Sequence, residues 1–145
     1  MKIYIGADHA GYELKEKIRQ FLLEEMKYEV VDFGANVFDE DDDYPDFIRP
    51  VAKAVANDID SFGIVFGGSG QGEAMVANRE KGVRAAVYYG GPKKIITLSR
   101  EHNDANILSI GARFVSEKDA RDIVSLWLKT PFSNADRHKR RIKNI

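Results

Sequence analysis

The 145 residues include no cysteine. That single absence excludes a disulfide scaffold, a thiolate metal centre and cysteine-based catalysis together. An excess of either charge is missing too: 22 lysines and arginines face 23 aspartates and glutamates, for a net charge of −1. So balanced a chain has no global field with which to grip nucleic acid or an anionic membrane. No apolar run approaches the ~20 residues that a membrane span needs. The opening MKIYIGADHAG turns polar too early for a secretory leader. What is present, 43% hydrophobic and 31% charged residues, is ordinary for a water-soluble globular protein. The length matches one domain on the usual ~100–200 residue scale. A cytoplasmic protein with a single domain over residues 1–145 is the expectation.

Two kinds of apolar segment alternate along the chain. Short runs rich in β-branched residues occur at Lys2–Gly6, Tyr28–Gly34, Gly63–Gly67, Val83–Tyr89 and Asn106–Gly111. They are apolar on nearly every position, which suits strands of a parallel sheet covered on both faces. Between them the period changes to that of a helix. Leu14, Ile18, Phe21, Leu22 and Met26 recur at spacings of three and four within Gly11–Met26, and Tyr44–Asn57 and Ser116–Lys129 behave alike. Gly72–Asn78 and Gly91–His102 show the same period over shorter stretches. Ser116, followed by Glu117 and Asp119, suits a capped helix start, and Pro45 suits a first helical position. Strand–helix alternation of this kind predicts an α/β fold. Its form is a doubly wound, Rossmann-like three-layer sandwich with a five-stranded parallel sheet and right-handed crossovers. Ligands on such sheets lie beyond the carboxyl ends of the strands.

The residues just after each run therefore carry the functional information. Gly6-Ala7-Asp8-His9-Ala10-Gly11 follows the first. Asp8 fits a helix N-cap, and with His9 it also fits a proton-transfer and phosphate-binding pair. After the second run come Asp39-Glu40-Asp41-Asp42-Asp43 and then Tyr44-Pro45. These acids lack the alternating ligands and turn glycine of a calcium loop, so a solvated, self-repelling loop is expected. Tyr44 suits either stacking on a ligand or packing. After the third run, Gly67-Gly68-Ser69-Gly70-Gln71-Gly72-Glu73 leaves successive backbone N–H groups unshielded, an anion-binding concavity. It does not match the dinucleotide fingerprint, which follows a first strand. Glu73 stands where a general base would act on a substrate whose oxyanion the glycines hold. His102 and Asn103 close the fourth helical stretch, and Arg113 follows the fifth strand. The polar tail Asn134–Ile145 is basic. If it is helical, Arg137 and Arg141 share a face, as a phosphate clamp or as a solvated surface.

Taken in order, these segments resemble the B-type ribose-5-phosphate isomerases, the family that also includes galactose-6-phosphate isomerase subunits. The likeness rests on G-x-D-H-A-G-x-x-L-K (Gly6 to Lys15), D-Y-P (Asp43 to Pro45), G-S-G (Gly68 to Gly70), A-N-R-x-x-G-V-R-A (Ala77 to Ala85), S-R-x-H-N-D-A-N (Ser99 to Asn106), G-A-R (Gly111 to Arg113) and R-H-x-x-R (Arg137 to Arg141). Each is short, but together they span nearly the whole chain. The resemblance implies an aldose–ketose isomerase of a phosphorylated sugar that uses neither metal nor organic cofactor. It also implies a homodimer or tetramer with shared active sites. Asp8 and His9 would then meet the ring oxygen and phosphate region, and Tyr44 would lie against the sugar. Gly68, Ser69, Gly70 and Gly72 would hold the enediolate. His102 would open the furanose ring and Asn103 would bind a hydroxyl, with Arg113, Arg137 and Arg141 clamping phosphate. The family implies that a partner chain supplies His102, Asn103 and Arg113.

One departure stands out. Many members have a catalytic cysteine before the G-[ST]-G loop, where this chain has Gly67. A second branch has glycine there and uses the glutamate of G-G-S-G-x-G-E as base, as Gly67 to Glu73 would imply here. The expected reaction is ribose 5-phosphate to ribulose 5-phosphate. A six-carbon substrate such as allose or galactose 6-phosphate, and a non-catalytic phosphate- or nucleotide-binding module, are the alternatives.

Overall fold

Strands and helices alternate along the chain, with one further helix after the last strand–helix unit, in the computed structural model, which describes residues 1–145. The order is β1 (Lys2–Ala7), α1 (His9–Glu24), β2 (Glu29–Asp32), α2 (Tyr44–Asn57), β3 (Ser61–Gly67), α3 (Gln71–Ala77), β4 (Ala85–Tyr88), α4 (Lys94–Glu101), β5 (Ile107–Gly111), α5 (Glu117–Lys129) and α6 (Asp136–Ile142). All strand pairs are parallel, in the order β2-β1-β3-β5-β4. The expected five-stranded α/β sandwich is thus the observed one. The order turns between β1 and β3, since β2 lies on one side of β1 and β3 on the other. No helix is long and apolar enough to cross a membrane.

Strand side chains alternate between the two faces, and both faces are covered. Ile3 and Ile5 of β1, Ile64 and Phe66 of β3, and Leu108 and Ile110 of β5 pack with Leu14, Ile18 and Leu22 of α1, Ile96 of α4, and Ile123 and Trp127 of α5. On the other side, Val65 and Ile107 meet Ile48, Val51 and Val55 of α2 and Ala77 of α3. The near-continuous apolar runs follow from this double burial.

Boundaries differ from expectation at the edges. β2 and β4 are shorter than Tyr28–Gly34 and Val83–Tyr89 because each is an edge strand with one partner. α1 begins at His9 rather than Gly11, because Asp8 caps it: the Asp8 carboxylate accepts from the Gly11 N–H at 3.1 Å. Ser116 caps α5 in the same way, accepting from the Asp119 N–H. Lys15 is fully buried and ties α1 to β2, with Nζ 2.7 Å from Asp32 Oδ2 and 2.7 Å from Glu16. Its place in the first motif is structural.

Candidate active site

The turns that leave β1, β3 and β5 at their carboxyl ends surround a cavity of about 480 Å³. Its lining includes Asp8 and His9 after β1, Gly68, Ser69, Gly72 and Glu73 after β3, and Arg113 after β5, with Tyr44 from the start of α2. That volume is in the usual range for a small-molecule site. Hydrogen bonds to main-chain carbonyls lock the turns together. Ala112 N donates to Gly67 O at 2.8 Å, Arg113 N to Gly68 O at 3.1 Å, and Ser109 Oγ to Gly70 O at 2.6 Å.

In the β3–α3 turn, Gly70 adopts φ +76°, a left-handed conformation that favours glycine. The N–H groups of Gly68, Ser69 and Gly70 donate to no acceptor within the chain. They form the expected anion cradle. The Ser69 hydroxyl accepts from the Gln71 N–H at 3.3 Å. Tyr44 lies against Gly72, where a Cβ would come 2.8 Å from the phenol ring. The Arg113 guanidinium passes over Gly68, where a Cβ would meet its Nη1 at 3.1 Å.

Glu73 is only 4% exposed. Its carboxylate occupies the space that a side chain at position 67 would need, so a Cβ on Gly67 would overlap it outright. A glycine at 67 and an inward-turned glutamate at 73 are therefore one steric unit. Burial pushes the Glu73 carboxyl above its ordinary value, its own N–H pulls the other way, and the Asp8 charge adds to the rise. A carboxylate lifted in this way would be better matched to proton abstraction near neutral pH.

His9 is held by Asp42. Asp42 Oδ1 lies 2.7 Å from His9 Nδ1 and accepts from the His9 backbone N–H at 3.0 Å. This corrects the expectation of a wholly solvated acidic loop: Asp39, Glu40, Asp41 and Asp43 are exposed, but the Asp42 side chain is turned inward and 9% exposed. The hydrogen bond with Asp42 raises the His9 pKa above its ordinary value against a smaller effect of burial. Asp8, His9 and Asp42 bring ligand atoms within 4.8 Å of one another. The 2.7 Å separation is that of a charge-assisted hydrogen bond, and Asp8 Oδ1 is taken by the Gly11 N–H. The trio is an ion pair beside a helix cap rather than an open set of metal ligands.

Four of the expected site residues lie elsewhere. His102 and Asn103 follow α4, just before β5, at the amino ends of the strands. The length of β5, roughly 15 Å at ~3.3 Å per residue, separates them from the cavity. The His102 ring stacks on His138 of α6 at 4.2 Å between centroids. Arg137 Nε is 3.3 Å from His138 Nε2, so Arg137 belongs to the same cluster. Arg141 lies one turn further along α6, and both arginines and Asn103 are exposed. Arg100, buried beneath, holds the bend: Nη1 donates to Asp104 Oδ1 at 2.9 Å and to Ala105 O at 2.6 Å. Burial lowers the His138 pKa, aided by the charges of His102, Arg137 and Arg141.

Arg113 departs from expectation in the opposite sense. It lines the same chain's cavity, because β5 is paired to β3 and carries it beside Gly68. The sequence reading also passed over Ala10 and Phe114, which line the cavity, and Asp42. Ala10 and Phe114 have no chemical signature, and Asp42 is one of five acids distinguished only by where the loop folds.

Comparison with known proteins follows the same outline. A family model described as Ribose/Galactose Isomerase matches residues 3–145. The chain is 44% identical over 142 residues to ribose-5-phosphate isomerase B of Mycobacterium tuberculosis, covering 98% of this chain and 86% of that one. A crystal structure of ribose-5-phosphate isomerase B from Mycoplasma genitalium with bound ribulose-5-phosphate superposes with a TM-score of 0.91. It shares 41% identity over 99% of this chain and 92% of the other. The Clostridium thermocellum ribose-5-phosphate isomerase B gives a TM-score of 0.91 at 47% identity over 99% and 94% of the two chains.

Proposed function

The chain belongs to the ribose/galactose isomerase family, and from that premise we propose that it interconverts ribose 5-phosphate and ribulose 5-phosphate with Glu73 as the base. The observation that carries this reading is the Glu73 carboxylate, buried in the space left by Gly67 and beside three unengaged N–H groups. Isomerisation must remove the C2 proton of the open-chain aldose and return it to C1. The carbanion survives only as an enediolate, whose oxygen needs donors already in place. The cradle of Gly68, Ser69 and Gly70 supplies them, each such donor being worth ~2.7–4 kcal/mol in comparable sites. Glu73 takes the proton from C2 on one face and returns it to the adjacent carbon. Asp8 is placed to bind the ring oxygen region, Tyr44 to flank the sugar, and His9 with Arg113 to hold the phosphate, whose binding energy keeps the carbons aligned.

Ring opening needs an acid, and no further histidine lines the cavity. We infer that the enzyme works as a homodimer in which His102 of a second copy protonates the leaving ring oxygen. Asn103, Arg137 and Arg141 of that copy then complete the hydroxyl and phosphate contacts. Support comes from their outward presentation at the other end of the fold, where no substrate bound in their own chain's cavity could reach them. Glu73→Gln tests the base: kcat for ribose 5-phosphate is expected to fall by ~10²–10⁴ with KM little changed. Near-wild-type turnover in that variant would remove Glu73 from the mechanism.

A further inference from the structure

The five consecutive acids at 39–43 are absorbed by nothing in the mechanism, yet one of them is turned into the fold. Asp42 Oδ2 is shut off from solvent and has no hydrogen-bond partner. A loop carboxylate buried with an oxygen unsatisfied carries a desolvation cost that its four neighbours avoid by facing water. Its other oxygen takes both the ring Nδ1 and the backbone N–H of His9. Phe38 adds an edge-on contact to the imidazole at 6.1 Å between centroids, so the ring is held from two sides.

We propose that Asp42 is a positioning residue for substrate phosphate: it fixes the His9 imidazole through Nδ1 and leaves Nε2 as the donor into the cavity. This rests on the reading of the cavity as a sugar-phosphate site. With Nδ1–H committed to Asp42, a neutral His9 presents a lone pair at Nε2, which repels a phosphate oxygen, whereas the imidazolium presents an N–H. The charged groups facing His9 are Asp42 from the loop, Asp8 from its own turn and Arg113 from beyond β5. The two acids favour the imidazolium, and Arg113 opposes it. Arg113 and His9 thus face the same cavity as two groups suited to one anion, and Asp42 favours the charged form of the second.

The test uses the intact enzyme, steady-state kinetics with ribose 5-phosphate between about pH 6 and pH 9, and NMR titration of the three histidines. Asp42→Asn keeps a hydrogen-bond acceptor but removes the charge. In that variant the His9 titration should move to lower pH while the His102 and His138 signals report an unchanged fold. KM at pH 8 should rise roughly three- to tenfold, with kcat within about twofold, and the difference should shrink toward pH 6, as more of the variant's His9 becomes protonated. Asp42→Glu, which restores the charge, should recover most of the wild-type KM profile. In a His9→Gln background, Asp42→Asn should raise KM no further. A wild-type KM profile in Asp42→Asn, beside a raised KM in His9→Gln, would overturn the role of Asp42 and leave that of His9 standing. An unchanged KM in His9→Gln would overturn the phosphate role of His9, and the inference with it.

Discussion

The two ends of the sheet both carry expected site residues but present them in opposite ways. At the carboxyl end the groups point inward around a cavity, and they stand on turns that hydrogen-bond to each other through their main chains. At the amino end Asn103, Arg137 and Arg141 point into solvent, braced from behind by His138 and Arg100. On the proposed mechanism, the first end has the oxyanion donors and the base, which must be preorganised to fractions of an ångström to lower a barrier. The second has an acid and two long cationic side chains, groups that can reach across an interface to a substrate held elsewhere. In the proposed homodimer, a self-complementary pairing would bring unlike ends together and make two equal sites. On that proposal, the ends differ as half of a site that holds and half that closes over it.

The comparison breaks most visibly if the two halves can be traded between chains. Glu73→Gln and His102→Ala homodimers should each be nearly inactive. Exchanging them by reversible dissociation should restore roughly a quarter of wild-type activity, because random pairing gives half heterodimers with one intact site apiece. No recovery from an exchanged mixture would place both residues in one chain's site. A smaller effect should follow from Gly67→Ala, whose methyl must displace the Glu73 carboxylate. Its kcat should fall by about 10²-fold, and the same change made in Glu73→Gln should cost little more, a non-additivity that independent sites would not show. The smallest effect is on stability. Because the folded-state pKa of Glu73 lies above its unfolded value near 4.5, the native chain holds that proton more tightly than the unfolded one. The charge therefore costs stability progressively as pH rises from the unfolded value through the folded one. Glu73→Gln should raise the melting temperature at pH 7–8, and the gain should disappear below about pH 4. A variant less stable than wild type at pH 8 would contradict the burial cost assigned to this carboxylate.

Much of this architecture was legible in local pattern. Double-sided burial makes the strands of a parallel sheet continuously apolar, and it made β1, β3 and β5 readable. Side chains that satisfy the backbone within three residues made the Ser116 cap readable, and Pro45 marked the start of α2. The edge strands were overdrawn because pairing on one side only, which the chain cannot announce locally, ends the ladder early. In the site, the glycine-rich turn and Glu73 were legible because both lie within one seven-residue stretch. Asp42 was not, since its partner is 33 positions away.

What the amino-acid order determined by itself was the set of elements, their parallel stacking and the chemical cast. With no thiol in the chain, any base had to be something other than a thiolate. Only the tertiary structure decided which acids face a pocket and which face water, that the Glu73 carboxylate fills the hollow at Gly67, and that His102 is at the opposite, amino end of the strands. These outcomes depend on distances between residues remote in sequence. Such distances are set by the packing of the whole sheet and its helices, which no local pattern encodes.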